Sequence, residues 1–288
     1  MIALNQAEVK MPKIIRDTSI TARVEEFTPD ECEREVELNM GRQRKPSPVT
    51  IATLTRTLKN GDWMVNGETL IQDWDGNWIQ GQHRFRAAAR AGVPLRSVVV
   101  RGVDPACFAT LDEHRKRTAA QVLTMNDESH ATVVAGACRW HRALVKGKVA
   151  DSSRWSMTNA ETIAYLDRHP GLRASAAFVC SSDIDRLGHS YVVWTALHRR
   201  LCGVDAEAAS DYVSKVLRGT GITDTDPEFV VRRRLLQSRG SDTPLRPGAV
   251  LLAAIIGWNA RRKGTAIRKI ILVKKDSNEI RPLPQIAT

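Results

Sequence analysis

Residues 76–92 read GNWIQGQHRFRAAARAG, and this stretch decides how the chain is divided. A short apolar segment with an aromatic residue runs into a tight turn at Gly81. The polar trio Gln82, His83 and Arg84 follows at once, and then an Ala/Arg-rich helix that stops at Gly92. This is a strand–turn–helix junction with an imidazole and a guanidinium at the helix start. Helix N-termini present unpaired N–H groups and a partial positive charge, which suits an anion. Arginine adds a forked donor matched to phosphate. The junction therefore reads as a phosphate-handling site, with Gly81 allowing close approach of the backbone.

Outward from this point, short strands alternate with short helices. Asp75-Gly76 is a hairpin signal between Gly67–Trp74 and Asn77–Gln80. Pro94–Arg101 is rich in β-branched residues and predicts a strand. Upstream, Thr28-Pro29-Asp30-Glu31 opens a helix to about Asn39. Ser47 or Pro48 opens another through Leu58, closed by Asn60-Gly61. Asp104-Pro105 starts a further short helix, and residues 112–123 form a charged turn and helix. Residues 1–20 are expected to be a loose arm or an edge strand.

After about residue 127 the pattern is helical. Apolar residues recur at helical intervals over 131–147, Thr158–His169, Asp183–Leu201, Asp205–Arg218, Asp226–Arg239 and Arg246–Arg262. Pro170-Gly171 reads as a stop, and Ile267–Val273 as a strand followed by a turn at Asp276–Asn278. The expected fold is α+β: a small mixed-sheet domain over 1–125, then a mainly helical domain over 126–288.

The chain has 288 residues with 43 Lys+Arg against 32 Asp+Glu, a net charge of +11. That surplus favours polyanions, chiefly nucleic acid, or an anionic membrane surface. The five cysteines, Cys32, Cys107, Cys138, Cys180 and Cys202, lack zinc spacing and are expected to be reduced and mostly buried. No secretory signal is expected, and the longest apolar run, Ala249–Trp258, is too short to cross a bilayer. A cytoplasmic protein without a membrane partner is the reading.

The N-terminal part resembles the ParB/sulfiredoxin superfamily over roughly residues 35–123. The residues that carry this are Arg42-Gln-Arg44, Gly67-Glu68, Gly81-Gln-His-Arg84 with Ala87-Ala88, and Gly92-Val-Pro94 leading into Val98-Val99-Val100. ParB-type domains carry a Gly-x-Arg-Arg-x-x-Ala box at this junction, and related kinases and sulfiredoxins a Gly-x-His-Arg version. A looser likeness to phage and prophage proteins adds Asp112…Arg117 and Gly257-Trp-Asn-Ala260. Such proteins usually read Asp-Gly-Gln-His-Arg, whereas this chain has Gln80 at the Asp position.

The resemblance implies a nucleoside triphosphate, ATP or CTP, with Mg²⁺ on its phosphates, held by Gly81, Gln82, His83 and Arg84. It implies a ParB-like DNA-associated protein; a homodimer is a candidate assembly, and the sequence leaves the oligomeric state open. Arg42, Arg44, Lys45 and the run Arg232, Arg233, Arg234 are the candidate DNA contacts, beside the basic runs at Arg115–Arg117, Arg199-Arg200 and Arg261–Lys263. The alternative is a phosphotransferase or nuclease in the same pocket, with Glu68 and His83 as acid/base groups. A third reading, a protein with a dead pocket, rests on Gln80. For Arg84 the competing structural role is a salt bridge to Asp73 or Asp75. As a helix-start residue it is expected to lie outside the core.

Overall fold

The computed structural model describes residues 19–38, 45–110, 117–147, 156–182, 187, 190–239, 245–273 and 280–288. The chain divides into two compact units, residues 1–115 and 116–288. The division falls ten residues before the expected 125, because the helix Ala119–Met125 packs on helices of the second unit.

The first unit holds a four-stranded mixed sheet. Its strands are β1 (Thr21–Phe27), β2 (Thr69–Asp73), β3 (Trp78–Gln80) and β4 (Leu95–Val103), in the order β1-β4-β2-β3. β4 is antiparallel to β1 and parallel to β2, and β2 turns back into β3. β1 is an edge strand of the sheet; residues 1–18, most of the stretch expected as a loose arm or an edge strand, lie outside the described residues. Among the described residues three α-helices accompany the sheet, α1 (Pro29–Leu38), α2 (Pro48–Lys59) and α3 (Gln82–Ala91), and the short helix expected from Asp104-Pro105 is a 3-10 helix over Pro105–Thr110. The start of α1 follows the sequence signal, with the Thr28 N–H donating to the Glu31 carboxylate and the Glu31 N–H donating to the Thr28 hydroxyl. The hairpin turn is held by Asp73, whose buried carboxylate accepts the N–H groups of Asp75 and Asn77 at 3.0 and 2.8 Å.

Phe27 meets Trp78 and Phe85 edge-on at the centre of this unit, and Trp78 and Phe85 are tilted against each other, with ring centroids 4.8–6.0 Å apart. Leu58, Leu70, Leu95, Val99, Ala87 and Ala88 close the core around them. The two alanines let α3 lie close against the layers on either side. Trp74, at the end of the hairpin's first arm, is largely exposed.

The second unit is helical: α4 (Ala119–Met125), α5 (Ala131–Val145), α6 (Asn159–Arg168), α7 (Gly171–Cys180), α8 (Tyr191–Cys202), α9 (Ala206–Arg218), α10 (Pro227–Arg239) and α11 (Pro247–Arg262). Trp194, Trp258 and Tyr212 are fully buried in its core. Pro170-Gly171 does end α6, but it also begins α7, since proline suits a helix start as well as a position past a helix end. Of the expected helix Asp183–Leu201, the described part begins at Tyr191; residues 183–186 and 188–189 lie outside the described residues, as do Trp155 and the turn at 276–278.

The expected strand Ile267–Val273 is not one. Ile270 and Leu272 are buried while Ile271 and Val273 are exposed, so the alternation is present. Among the described residues a single bridge, Val273 to Ile280, stands in place of a ladder. Alternation reports which side is buried and does not supply a partner strand.

All five cysteines are free; Cys32 and Cys138 are buried, and burial pushes both thiols up to about 12. No described helix is long and apolar enough to cross a membrane.

Candidate functional site

The junction begins at Gly81, which caps α3 with φ +132°. A Cβ there would stand 2.7 Å from Leu70 Cδ2. Backbone conformation and close packing on β2 both require glycine. Gln82 is buried, and His83 is half-buried.

His83 Nε2 accepts the backbone N–H of Ser47 at 3.0 Å. In that role Nε2 carries no proton, so the neutral ring holds its proton on Nδ1. Ser47 in turn caps α2, its hydroxyl accepting the Thr50 N–H. His83 therefore fixes where α2 starts relative to α3.

Arg84 corrects an expectation. It is only 9% exposed, inside the sheet unit. One terminal nitrogen donates to the Glu68 carbonyl at 3.0 Å and the other to the Thr69 carbonyl at 2.9 Å. Ser97 Oγ on β4 lies 3.5 Å from the guanidinium and donates to the same Glu68 carbonyl. Arg84 thus ties the entrance of β2 to α3 and β4. The competing salt bridge is also set aside, because Asp73 caps the hairpin turn. Burying a guanidinium in this place is tolerable because carbonyl oxygens receive its protons.

Glu68 lies just ahead of β2 and is exposed; the carbonyl, not the carboxylate, meets Arg84. Gln80 sits on β3 opposite Ile71, half-buried. Within Gly81–Arg84, the structure turns most polar side-chain atoms inward and leaves His83 partly at the surface. No group of three or more His, Cys, Asp or Glu among the described residues could hold a metal ion.

The candidate DNA contacts are divided. Arg42 and Arg44 lie outside the described residues, as do Asp112 and Arg115. Lys45 is exposed just before α2. Arg232 donates to the Val216 and Leu217 carbonyls at the end of α9, closing that helix. Arg233 is exposed, donates to the Arg268 carbonyl and lies over the Phe229 ring. Arg234 is half-buried. The adjacent triplet therefore does three different things. Gly257-Trp-Asn-Ala260 proves to be an anchor: a Cβ at Gly257 would meet Val231 at 2.3 Å, and Trp258 and Asn259 donate to the carbonyls of Ala287 and Gln285.

Sequence reasoning missed Ser97 and the inward direction of Arg84. Ser47 was visible as a helix cap, yet nothing in its spacing tied it to His83.

No protein-family model, curated protein or solved structure matches the chain.

Proposed function

We propose that the protein is a DNA-associated binding protein, ParB-like in its N-terminal unit. The observation that carries this is the charge: 43 basic against 32 acidic residues, giving +11. Lys and Arg contacts to phosphates form the sequence-independent part of nucleic-acid binding. A nucleotide phosphate at Gly81–Arg84 is the second part of the proposal, supported by the likeness of the box. In that reading Arg84 shapes the junction from behind rather than touching the ligand. Contact falls to the main-chain N–H groups at the start of α3 and to His83.

A gel-mobility assay with duplex DNA over a salt series tests the first part. Binding that weakens steeply with salt and shows little sequence preference is expected; no binding at low salt overturns it. Labelled ATP or CTP with Mg²⁺ tests the second part. Retention without turnover supports a binding module, and hydrolysis or transfer turns the reading to a phosphotransferase or nuclease. Neither retention nor turnover leaves the box as scaffold alone.

A further inference from the structure

The surplus charge belongs to one unit. Residues 1–115 hold 16 Lys and Arg against 16 Asp and Glu, so the sheet unit is neutral by this count. Residues 116–288 hold 27 against 16 and carry the whole +11. Within them, residues 229–288 hold 13 Lys and Arg against 3 acids. Those acids, Asp242, Asp276 and Glu279, lie outside the described residues, so the described part of this stretch holds no Asp or Glu.

Acids from earlier in the chain answer part of this charge. Glu228 and Asp211 hold Arg261 at 2.6 and 2.8 Å, and Asp205 holds Arg262 at 3.0 Å. Arg232 donates to carbonyls at the end of α9. Arg233, Arg268, Lys269 and Arg281 are exposed, and none of them has an ion pair among the described residues. Two hydrogen bonds set these four along one stretch of surface. Arg233, on the outer side of α10, donates to the Arg268 carbonyl at 2.9 Å. The Arg281 N–H donates to the Leu272 carbonyl at 2.9 Å, beside the bridge from Val273 to Ile280. Arg233 also lies over the Phe229 ring, 5.6 Å from its centroid, which holds the guanidinium in place. The chain from Arg268 to Leu272 reaches up to about 14 Å, so cations at its two ends cover more than one phosphate group.

We propose that a nucleic-acid backbone lies along this face of the helical unit, with Arg233, Arg268, Lys269 and Arg281 on successive phosphates, rather than along the neutral sheet unit. This deepens the DNA-binding reading above and rests on it. Collecting like charges on a face without acids costs Coulomb energy, and a line of phosphates returns it on binding. An anionic lipid surface is the competing polyanion. Ile271 and Val273 are exposed beside the cations, but no aromatic residue of 229–288 is exposed among the described residues. Faces that enter lipid rely on bulky side chains such as Trp and Phe.

The test measures anisotropy of a labelled duplex of about 20 base pairs with the full chain across a salt series. Each phosphate contact contributes about 0.9 to the slope of log K against log salt. Arg233→Gln, Arg268→Gln and Lys269→Gln together are expected to flatten the slope by about three such contacts and to weaken binding about a hundred-fold or more at about 0.1 M salt. Arg268→Gln with Lys269→Gln, two exposed side chains outside the core, flattens it by about two and covers the case in which the triple variant does not fold. The swapped pair Arg268→Lys and Lys269→Arg keeps the slope. So does Lys59→Gln with Arg96→Gln, which removes two exposed cations of the sheet unit. If wild type binds and the Gln variants, folded by circular dichroism, keep its slope, this face is not the seat, while the DNA reading stands. A flattened slope in the swapped pair, or an equal flattening in the sheet-unit pair, also overturns the inference, since packing or total charge is then responsible. Binding to phosphatidylserine vesicles but not to duplex, lost in the triple variant, gives the face to a lipid surface and overturns inference and reading together. Wild type that binds neither overturns both as well.

Discussion

Arg84 and Arg199 are both largely hidden arginines beside a helix start, and the two units treat them in opposite ways. In the sheet unit, Arg84 meets the carbonyls of Glu68 and Thr69 at the entrance of β2 and a serine hydroxyl, so its charge serves the scaffold. In the helical unit, Arg199 lies on a helix start with a shielded Nε that bonds nothing. The same side chain ties the frame together where carbonyls face it, and keeps an unpartnered Nε where a helix start lies beside it. An arginine at a helix start is thus no phosphate ligand by virtue of its place in the sequence; the groups around its guanidinium decide.

The helical unit also hides two neutral histidines, and this gives the largest expected effect. His141 shares a hydrogen bond with the Tyr165 hydroxyl, and His198 lies between the hydroxyls of Ser175 and Ser210. Burial, first of all, pushes both down to about 4; His169, Arg199 and Arg200 add to the effect on His141, and Arg199 to that on His198. The unfolded chain therefore binds more protons than the folded one between about pH 6.5 and 4. Stability is complete above that window and is lost as pH falls through it. At pH 5 each histidine is expected to remove about 2 kcal/mol. Urea unfolding at pH 7 and pH 5 checks this, and His141→Gln with His198→Gln should flatten the difference. Equal stability at both pH values would break this part of the contrast.

Next in size, Arg84→Ala is expected to cost about 3 kcal/mol, because the carbonyls of Glu68 and Thr69 lose a charged donor. A chemical denaturation curve shifted by less than about 0.5 kcal/mol returns Arg84 to the surface role and reopens it as a ligand. Gly81→Ala follows, at about 2 kcal/mol from backbone strain and the approach to Leu70. It is read by the same curve. An unaffected midpoint would mean the turn relaxes around a Cβ.

The smallest effect sharpens the comparison most. Arg168→Gln should leave stability within about 0.5 kcal/mol of wild type, since its exposed charge is not part of the frame. A thermal melt checks it. A large loss would make Arg168 scaffold like Arg84 and remove the contrast between the units.

The sequence made the local elements legible where a single residue carries a local rule. Thr28 and Glu31 form the capping pair, Ser47 caps α2, Gly76 makes the hairpin turn and Gly92 ends α3 in a left-handed conformation. The split into an α+β part and a helical part followed from the change of apolar period. Less legible was everything that depends on a partner far away in the chain. Ile267–Val273 keeps its alternation but finds no ladder, and Arg232, Arg233 and Arg234 share one run but face three environments. Gly257 reads as a flaw in a helix until Val231 and Tyr212 are seen against it.

What the sequence by itself determined is therefore periodicity, caps, turns and net charge, since each is set by residues within a few positions or by a plain sum. The tertiary structure alone decided which polar atoms remain available to a ligand. His83 meets Ser47 across 36 positions, Arg84 meets Ser97 across 13, and Arg199 lies on Gly171 from another helix. A hydrogen bond or an unanswered charge is a property of two groups at a distance of a few ångströms, and sequence spacing does not encode that distance.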